Sequence, residues 1–271
     1  PPGRFLMPGD MEGSPALTFA PLPNLSGKRA RAGSLYAMME RRYEAYKTHV
    51  IRPFFREHIA RLDRQIVLID AMQALNAGPG AMLDLERAVT EILACFRPGR
   101  GNFLSDLVSK RIDRILIAAT KADHLHHESH DRLQAIVRRL AERAIARANF
   151  TGADVDVVAM AAVRATREGT VKQGRETLPV ILGTPLAGET IGDQTFDGKT
   201  ETAIFPGDLP ERPGSVFEAD NGHRQDDADP AIRFVRFRPP KLEQTAEGVT
   251  LSLPHIRLDR ALQFLIGDHL A

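Results

Sequence analysis

Two short apolar runs, each ending in polar residues, constrain the fold of this chain more than any other feature. The first reads RQIVLID over 64–70, and the second reads IDRILIAATKAD over 112–123. Apolar runs of this length between helical segments are typical of buried strands in a parallel sheet. In open α/β sheets a ligand lies beyond the carboxyl ends of the strands. Asp70 and the segment 120–123 follow two such ends, so we expect both beside a ligand.

The helical patterns around these runs favour an α/β fold with a doubly wound, mainly parallel sheet. Apolar residues recur at helical spacing over 83–96 and 129–149, and a third apolar run covers 154–160. The alternation of strands and helices is the pattern of such a sheet. The glycine-containing segment 71–80 is predicted to be a flexible loop directly after Asp70.

The composition changes beyond the third predicted strand. Helical periodicity is absent over 168–230, where Gly, Pro, Thr and Asp are frequent, and this predicts a small β-rich insertion. The alternating run 232–237 predicts a strand, and 257–270 predicts an amphipathic terminal helix. We therefore expect a core over 1–167, the insertion over 168–230, and a return of the core over 231–271.

The amino-terminal part combines a Gly- and Pro-rich stretch with a basic helix. Residues 1–30 predict loops around one candidate strand at 16–20. Ser34 is predicted to cap a helix over 35–62, and Pro53 to kink or divide it. The other face of this helix is basic: Arg41, Arg42, Lys47, Arg52, Arg56 and Arg61. A solvated face is the simpler interpretation, and a surface for an acidic protein partner or anionic lipid is the alternative.

Charge and cysteine content exclude several classes of protein. The chain has 271 residues and a formal net charge of +1, so no strong field attracts it to nucleic acid. Its single cysteine, Cys95, excludes an intramolecular disulfide framework, which fits a reducing compartment. No apolar run approaches the roughly 20 residues that span a bilayer, and the first residues lack the profile of a signal peptide. Because residue 1 is proline, we expect the sequence to start partway through a longer protein.

The segment Thr120-Lys121-Ala122-Asp123 carries the sharpest chemical signal. A carboxylate beyond a strand can accept hydrogen bonds from the N1–H and the exocyclic amine of guanine. Adenine has an acceptor at N1 and no amine at that place, so it would leave the carboxylate unpaired. The stem of Lys121 can lie along the plane of the base. The simpler alternative is a strand-to-helix turn in which Asp123 caps the helix.

Asp70 is the candidate for the phosphate side of the same site. An aspartate at a strand end can hold Mg²⁺ through water beside a bound triphosphate. In GTPases such an aspartate opens an Asp-x-x-Gly motif, and Gln73 stands at the glycine position here. An isolated aspartate is more often a helix cap or a surface charge.

Two further motifs have simpler interpretations. A group of histidines follows Asp123, but no cysteine and no well-spaced carboxylate joins them, so exposed loop histidines are favoured over a metal site. They are His124, His126, His127 and His130. The triplet Gly-Lys-Thr at 198–200 lacks the earlier glycine that a phosphate loop needs, so Asp197–Gly198 is predicted to be a hairpin turn.

Seven segments, in order along the chain, extend over nearly its whole length. They are FLMPGD (5–10), YEAYK (43–47), RPF (52–54), DRQIVLID (63–70), ATKAD (119–123), VRAT (163–166) and RLDRAL (257–262). Together these segments resemble the YcjX family of bacterial stress-associated P-loop proteins, described as ATPases or GTPases.

The resemblance implies a P-loop NTPase fold that binds a purine nucleotide with Mg²⁺, in the cytoplasm or peripherally at the inner membrane. GTP or GDP is the implied nucleotide, with ATP as the alternative. By this resemblance Asp70 is the aspartate on the Mg²⁺ side, and Lys121 and Asp123 read guanine. The segment Ala161-Ala162-Val163 is similar to the backbone beside the base. Thr120 replaces the usual Asn, a variant that small GTPases also show.

One motif of P-loop proteins is missing from the sequence. Such proteins carry Gly-x-x-x-x-Gly-Lys-Ser/Thr after the first strand, and no such segment precedes Asp70. Backbone N–H groups and a lysine at the phosphates stabilise the charge in phosphoryl transfer. We therefore expect a guanine-nucleotide-binding protein whose complete form hydrolyses GTP slowly, while this chain hydrolyses nucleotide poorly. The alternatives are an ATPase of the same fold and an interaction module that uses the basic helix 35–62.

Overall fold

The structure is a computed structural model that describes residues 18–20, 31–57, 62–94, 112–174, 176–218, 234–240, 244–245, 248–249 and 253–270. The chain divides into two compact units. One includes the described residues of Pro1–Leu62, and the other includes those of Asp63–Arg100 and Ile112–Ala271. Cys95, Arg61, the side chain of Arg56 and the segment 5–10 lie outside the described residues.

The first unit contains a helix that is divided by a π-helical turn. Helix α1 spans Leu35–Tyr46, the π-helical turn spans Lys47–Ile51, and helix α2 spans Arg52–Glu57. The Ser34 hydroxyl accepts a backbone N–H of the first turn at 3.3 Å, which confirms the predicted cap. Pro53, the second residue of α2, has no N–H to donate to the preceding turn. The helix is accordingly divided just before Pro53, as predicted.

Two cations of the basic face have partners within this unit. Arg42 donates to the carbonyl of Thr18 at 3.0 Å, and the Lys47 ammonium lies 2.5 Å from the Glu44 carboxylate. Residues 18–20 of the candidate strand at 16–20 are described and do not form a strand. The partners of Arg42 and Lys47 favour the solvated-face interpretation for that part of the helix.

A parallel three-stranded sheet forms the centre of the second unit. Its strands are β1, Arg64–Ile69; β2, Arg114–Ala119; and β3, Asp154–Ala159, in the spatial order β1-β2-β3. The register pairs the last residues of the three strands with one another, so their carboxyl ends are level. The three strands lie where the apolar runs predict them. Asp70 and Thr120 therefore lie at the same edge of the sheet.

Helices cover both faces of this sheet. In the described part of the second unit the α-helices are α3, Ala71–Ala77; α4, Pro79–Ala94; α5, His130–Leu140; α6, Glu142–Phe150; and α7, Leu258–Ile266. On one face Ala261 of α7 is buried against Leu116 of β2 and Val158 of β3. On the other face Ile117 lines a small apolar cavity together with residues of α4 and α6. The mixed α/β architecture is thus as the sequence predicts.

Strand β1 is less buried than its apolar sequence predicts. Ile66 is 42% exposed and Leu68 is 63% exposed, whereas their neighbours in the register, Leu116 and Ala118, are fully buried. Helix α7 packs over β2 and β3 on this face. No described strand pairs with the outer edge of β1, so β1 is the edge strand of the described sheet and part of its apolar face meets solvent.

Two predictions about the helices are wrong. The segment 71–80 is not a loop, because helix formers such as Ala, Met, Gln and Leu outweigh its glycines and form α3. Gly78, with φ 95°, ends α3, and Pro79 begins α4 ahead of the predicted start at 83. The single helix predicted over 129–149 is divided at Ala141, where φ is −94° and ψ is 5°.

The β-rich region contains short antiparallel strands. They are β4, Arg167–Gln173; β5, Glu176–Gly183; β6, Thr190–Ile191; β7, Gln194–Thr195; and β8, Thr202–Ile204. Strands β4, β5 and β8 form one sheet in that order, and β6 pairs with β7. Strand β4 was not predicted, because its sequence REGTVKQ is largely polar.

The predicted hairpin turn at Asp197–Gly198 is wrong. The two-residue hairpin joins β6 to β7 through Gly192 and Asp193 instead. The Asp197 carboxylate accepts the backbone N–H groups of Lys199 at 2.7 Å and Thr200 at 2.9 Å and closes a turn of its own. These hydrogen bonds, that of Thr200 first, lower the pKa of Asp197 to about 2. The Gly-Lys-Thr triplet therefore lies in a turn held by a carboxylate, which excludes a phosphate cradle there.

The return segment 234–240 crosses back to the β-rich region without forming the predicted strand. Its described backbone makes one bridge, between Phe237 and Pro185. Buried and exposed side chains nevertheless alternate along this segment, because Val235 and Phe237 are buried with Ile181 of β5 while Arg236 is exposed. A final hairpin pairs β9, Gln244–Thr245, with β10, Gly248–Val249.

Candidate functional site

A cavity of about 320 Å³ lies at the carboxyl ends of the three parallel strands. Its walls are mostly apolar, with a few polar groups from the loop after β2, which is the composition of small-molecule sites. The lining residues are Leu68, Thr120, Lys121, Asp123, His124, Met160, Ala161, Ala162, Val163, Ala165, Phe237 and Pro239. Six of the seven sequence-predicted site residues line this one cavity, and Asp70 adjoins it through Lys121.

Lys121 is held in a backbone conformation that is rare for its residue type. It is left-handed, with φ 62° and ψ 33°, between the end of β2 and a 3₁₀ turn over Ala122–His124. Such a conformation costs a non-glycine residue roughly 1–2 kcal/mol. Its ammonium lies 2.6 Å from the Asp70 carboxylate and 4.8 Å from the centre of the Phe234 ring. Strain at a residue that lines a cavity is a feature of functional sites.

Asp123 is buried and fixed on two sides. It is 4% exposed, and its Oδ2 accepts the backbone N–H of Ala165 at 2.9 Å. The Thr166 hydroxyl donates to its backbone carbonyl. Asp123 is therefore tied to the segment after β3 rather than capping a helix, which is the simpler alternative that the sequence left open. A carboxylate held in this way faces the cavity without first having to be ordered by a ligand.

Thr120 ties two strand ends together. Its backbone N–H donates to the carbonyl of Ile69 at 2.9 Å, and its hydroxyl donates to the same oxygen at 3.2 Å. The hydroxyl is thus engaged with β1, and Thr120 contributes to the cavity wall chiefly by fixing the loop. By the family resemblance an Asn is expected at position 120, and in this chain Thr120 there joins the ends of β1 and β2.

The segment Ala161-Ala162-Val163 presents backbone groups to the cavity. Ala161 exchanges two backbone hydrogen bonds with Ile256, at 3.1 and 2.8 Å, and Arg164 donates to Pro254 at 2.7 Å. Between them, the N–H groups of Ala162 and Val163 have no acceptor among the described residues. Both residues are exposed, so these donors are available to a ligand.

Aromatic residues from the return segment form a wall that the sequence motifs did not identify. His124 stacks on Phe234 with ring centres 4.9 Å apart and meets the edge of Phe237 at 5.2 Å. Burial lowers the pKa of His124, and the nearby Lys121 adds to this effect. A Cβ at Gly183 would lie 2.7 Å from the Phe237 ring, so glycine is what lets β5 and this segment approach. The alternation at 232–237 was the only sequence signal for this wall.

One oxygen of Asp70 meets the requirement for a magnesium-bound water. Its Oδ1 is buried and has no hydrogen-bond partner among the described residues, while Oδ2 is paired with Lys121. Mg²⁺ is held by one or two carboxylates plus water and phosphate oxygens in nucleotide sites. Gln73, which stands at the Asp-x-x-Gly glycine position, is exposed on α3.

The histidines after Asp123 do not form one group. His130 is buried, with Nε2 2.8 Å from the carbonyl of Ala122, and His124 packs in the aromatic wall. His126 and His127 lie together and approach the carboxylates of Glu128 and Glu168. The expectation that all four are exposed loop residues is therefore wrong for His124, His126 and His130, and folding supplies carboxylates that the spacing did not reveal.

The sheet and the cavity define an α/β protein with a candidate ligand site beyond the carboxyl ends of its parallel strands. The sequence profile of the YcjX-like family, DUF463, matches residues 1–270, which confirms the resemblance carried by the seven segments. This chain belongs to the YcjX-like family.

Two curated relatives carry the name Ras-like GTPase YcjX. The relative from Escherichia coli strain K12 is 36% identical over 280 residues, covering 99% of this chain and 54% of the relative. The relative from Shewanella oneidensis strain MR-1 is 32% identical over 276 residues, covering 99% of this chain and 53% of the relative. The chain thus spans about half the length of the curated relatives it matches. None of its described helices is both long and apolar enough to cross a membrane.

Proposed function

We propose that the cavity at the carboxyl ends of β1–β3 is the base pocket of a guanine-nucleotide site. The observation that carries this proposal is the buried Asp123 carboxylate, which lines the same cavity as Ala162 and Val163, whose backbone N–H groups have no acceptor among the described residues. The names of the curated relatives support the same class of ligand. The pocket belongs, in this proposal, to a doubly wound, P-loop-like fold whose phosphate-binding part lies outside the described residues.

The donors and acceptors of the pocket match the edge of guanine. In this proposal Asp123 accepts from the N1–H and exocyclic amine of the base, and the N–H groups of Ala162 and Val163 donate to its O6. The Lys121 stem lies along one face of the base. Adenine offers an amine where guanine has O6 and no proton at N1, so it would leave Asp123 and these amides unpaired.

Asp70 acts on this pocket through Lys121. Their ion pair of 2.6 Å fixes the position of the Lys121 side chain, and each side chain is about one third exposed. The free Oδ1 of Asp70 is the atom that would hold a Mg²⁺-bound water when nucleotide is present. Bound Mg²⁺ would neutralise charge on the phosphates. GTP hydrolysis is proposed only for a form that also supplies the phosphate cradle.

The test is a change of base specificity at Asp123. Asn at this position can still accept from the Ala165 N–H through its oxygen while offering an amide donor to the base. Asp123→Asn should therefore lose affinity for GDP and gain affinity for XDP, whose C2 carbonyl replaces the amine of guanine. Removing charge-assisted bonds worth roughly 1.5–3 kcal/mol predicts a fall of about 10- to 100-fold in GDP affinity.

Binding is measured by fluorescent GDP displacement with GDP, XDP and ADP, on the longest form of the protein that its gene encodes. Asp193→Asn, in the exposed β6–β7 turn, is the matched control and should leave all three affinities unchanged. Equal displacement by ADP and GDP in the unsubstituted protein would favour the ATPase alternative. An unchanged GDP affinity in Asp123→Asn would contradict the assignment of Asp123.

A further inference from the structure

A second cluster of metal-binding side chains lies just beyond the base pocket. His126, His127 and Glu128 each offer one ligand atom, and these atoms all lie within 4.8 Å of one another. The rings of His126 and His127 are 4.3 Å apart at their centres, and Nδ1 of His126 lies 3.8 Å from Oε2 of Glu128. Two imidazoles and a carboxylate form a ligand set that zinc sites use.

His126 is the feature that an ordinary surface loop does not explain. It is 7% exposed, and its Nδ1 is buried without a hydrogen-bond partner among the described residues. Buried polar atoms are nearly always paired, and leaving one unpaired is destabilising by about 1–3 kcal/mol. The neighbouring buried histidine, His130, obeys the rule by lying against the carbonyl of Ala122. The unpaired, buried Nδ1 of His126 therefore points to a ligand at this position.

Glu168 supports the cluster from the β-rich sheet. Its Oε2 lies 2.6 Å from Nδ1 of His127, and its other oxygen accepts from Arg164 at 3.0 Å. A histidine that binds a metal through one ring nitrogen commonly donates the other N–H to a carboxylate, which fixes its tautomer and orientation. In this arrangement His127 donates from Nδ1 to Glu168 and keeps Nε2 for a metal.

We propose that His126, His127 and Glu128 bind a divalent transition-metal ion, with Zn²⁺ the best match, and that Glu168 positions His127. Nitrogen and oxygen ligands in this number suit Zn²⁺ with one coordination position left for water. Ligand atoms around tetrahedral zinc are about 3.3 Å apart, given bond lengths of about 2.0–2.1 Å. The ligand atoms already lie within 4.8 Å of one another, and because His127 and Glu128 are exposed, small rotations of these side chains would bring the atoms to this separation.

Such an ion would brace the loop that carries Asp123. The cluster follows Asp123 by three to five residues along the chain, and Glu168 follows Thr166, whose hydroxyl donates to the Asp123 carbonyl. Metal bound by His126, His127 and Glu128 would fix the conformation of this loop, and the His127–Glu168 contact joins the loop to the start of β4. The site itself does not depend on the nucleotide proposal, because no ligand in it lines the base pocket.

The proposal is tested by equilibrium dialysis of the purified chain against Zn²⁺, with metal content measured by mass spectrometry. One Zn²⁺ per chain is expected, and Co²⁺ substituted for it should give the intense visible absorption of a four-coordinate site. His127→Gln and Glu128→Gln alter exposed side chains and should each weaken Zn²⁺ binding at least tenfold. Glu168→Gln should weaken it by about 10- to 100-fold, the range for groups that orient metal ligands.

Two control variants and a measurement of thermal unfolding separate specific Zn²⁺ binding from unspecific binding. His255→Gln and Glu211→Gln remove an exposed histidine and an exposed glutamate elsewhere and should leave Zn²⁺ binding unchanged. Zn²⁺ should also raise the melting temperature of the wild type but not of His127→Gln. Absence of Zn²⁺ binding, or equal binding by the wild type, the cluster variants and the controls, would overturn the proposal.

Discussion

At the scale of single residues, the loop after β2 is fixed by side chains that each satisfy a separate requirement. Lys121 adopts the left-handed conformation of the turn, and Asp123 accepts a backbone N–H from the segment after β3. The ring of His130 lies against the carbonyl of Ala122. The polar ends of the motif were predictable, because carboxyl ends of neighbouring parallel strands meet at one edge. The strain at Lys121 was not, because backbone dihedral angles follow from tertiary contacts.

The left-handed backbone of Lys121 predicts that glycine is tolerated better than alanine at this position. Glycine adopts φ 62° without steric cost, so Lys121→Gly should be more stable than Lys121→Ala by about 1 kcal/mol. Both variants lose the ion pair with Asp70, so both should bind GDP more weakly in the longest form of the protein. Urea unfolding and nucleotide titration measure the two effects, and equal stability of Gly and Ala would contradict the strain.

The burial of His130 predicts that acid destabilises the fold. Burial lowers the pKa of His130 below that of an exposed histidine, about 6.5, although the carbonyls of Ala122 and Leu125 oppose the shift. The unfolded chain then binds more protons than the folded chain below this pH, so the free energy of unfolding falls as pH decreases from about 6.5. His130→Gln, which can still donate to Ala122, should lessen this fall. Urea unfolding at several pH values measures the free energy of unfolding of both proteins. An equal fall with decreasing pH in the wild type and in His130→Gln would contradict the role of His130.

At the scale of elements, buried strands were predictable and their surroundings were not. Runs such as ILIAA identify β2 because both faces of that strand are covered. Helix α3 is hard to predict because its helix formers are followed directly by Gly78, Pro79 and Gly80, which are typical of a loop. Strand β4 was missed because it lies in a small sheet with a largely polar sequence. The aromatic wall of Phe234 and Phe237 depends on contacts between distant parts of the chain, which no local pattern contains.

The carboxyl end of α7 is attached to the amino ends of β1 and β2 by a charged network. Arg64 donates to Asp268 at 2.7 Å, and Arg114 donates to the carbonyl of Phe264 at 2.7 Å. The hydrogen bond from Arg64 comes first among the causes that lower the pKa of Asp268 to about 2. The interaction is therefore complete above the ordinary aspartate pKa of about 3.9 and is lost as pH falls through about 2.

Removal of this carboxylate should loosen α7 at neutral pH. Asp268→Ala should lower the urea midpoint of the chain, because Arg64, only 13% exposed, then loses the carboxylate that accepts its hydrogen bonds and keeps only the more distant Asp113. Asp84→Ala removes an exposed pair with Arg87 on α4 and should change the midpoint little. Equal midpoints for the two variants would show that the network does not hold α7.

Close packing at Gly183 should make the aromatic wall sensitive to one methyl group. The Cβ of Gly183→Ala would collide with Phe237, so we expect a loss of about 1–3 kcal/mol of stability and a displaced pocket wall. Gly80→Ala, in α4 with no atom near the added Cβ, is the control and should be neutral or stabilising by up to about 1 kcal/mol. Thermal unfolding measures the stability of both variants. A melting temperature of Gly183→Ala equal to that of the wild type would contradict the close packing of Gly183 against Phe237.

At the scale of the whole molecule, the base pocket draws its walls from distant parts of the second unit. The loop after β2, the segment after β3 and the return segment at Phe237 and Pro239 meet at the carboxyl ends of the sheet. The β-rich region, predicted from the sequence to be an insertion, thus supplies strand β5, against which Phe237 of the pocket wall packs. The chain spans about half the length of its curated relatives, so the proposed phosphate side is sought in the longest form of the protein.

Hydrogen–deuterium exchange of that form, with and without GDP or ADP, tests the central claim most directly. The account predicts that GDP slows exchange in peptides covering 120–125 and 161–166, and that ADP at the same concentration leaves both unchanged. Protection confined to other segments, or equal protection by GDP and ADP, would contradict the assignment of this cavity as a guanine pocket.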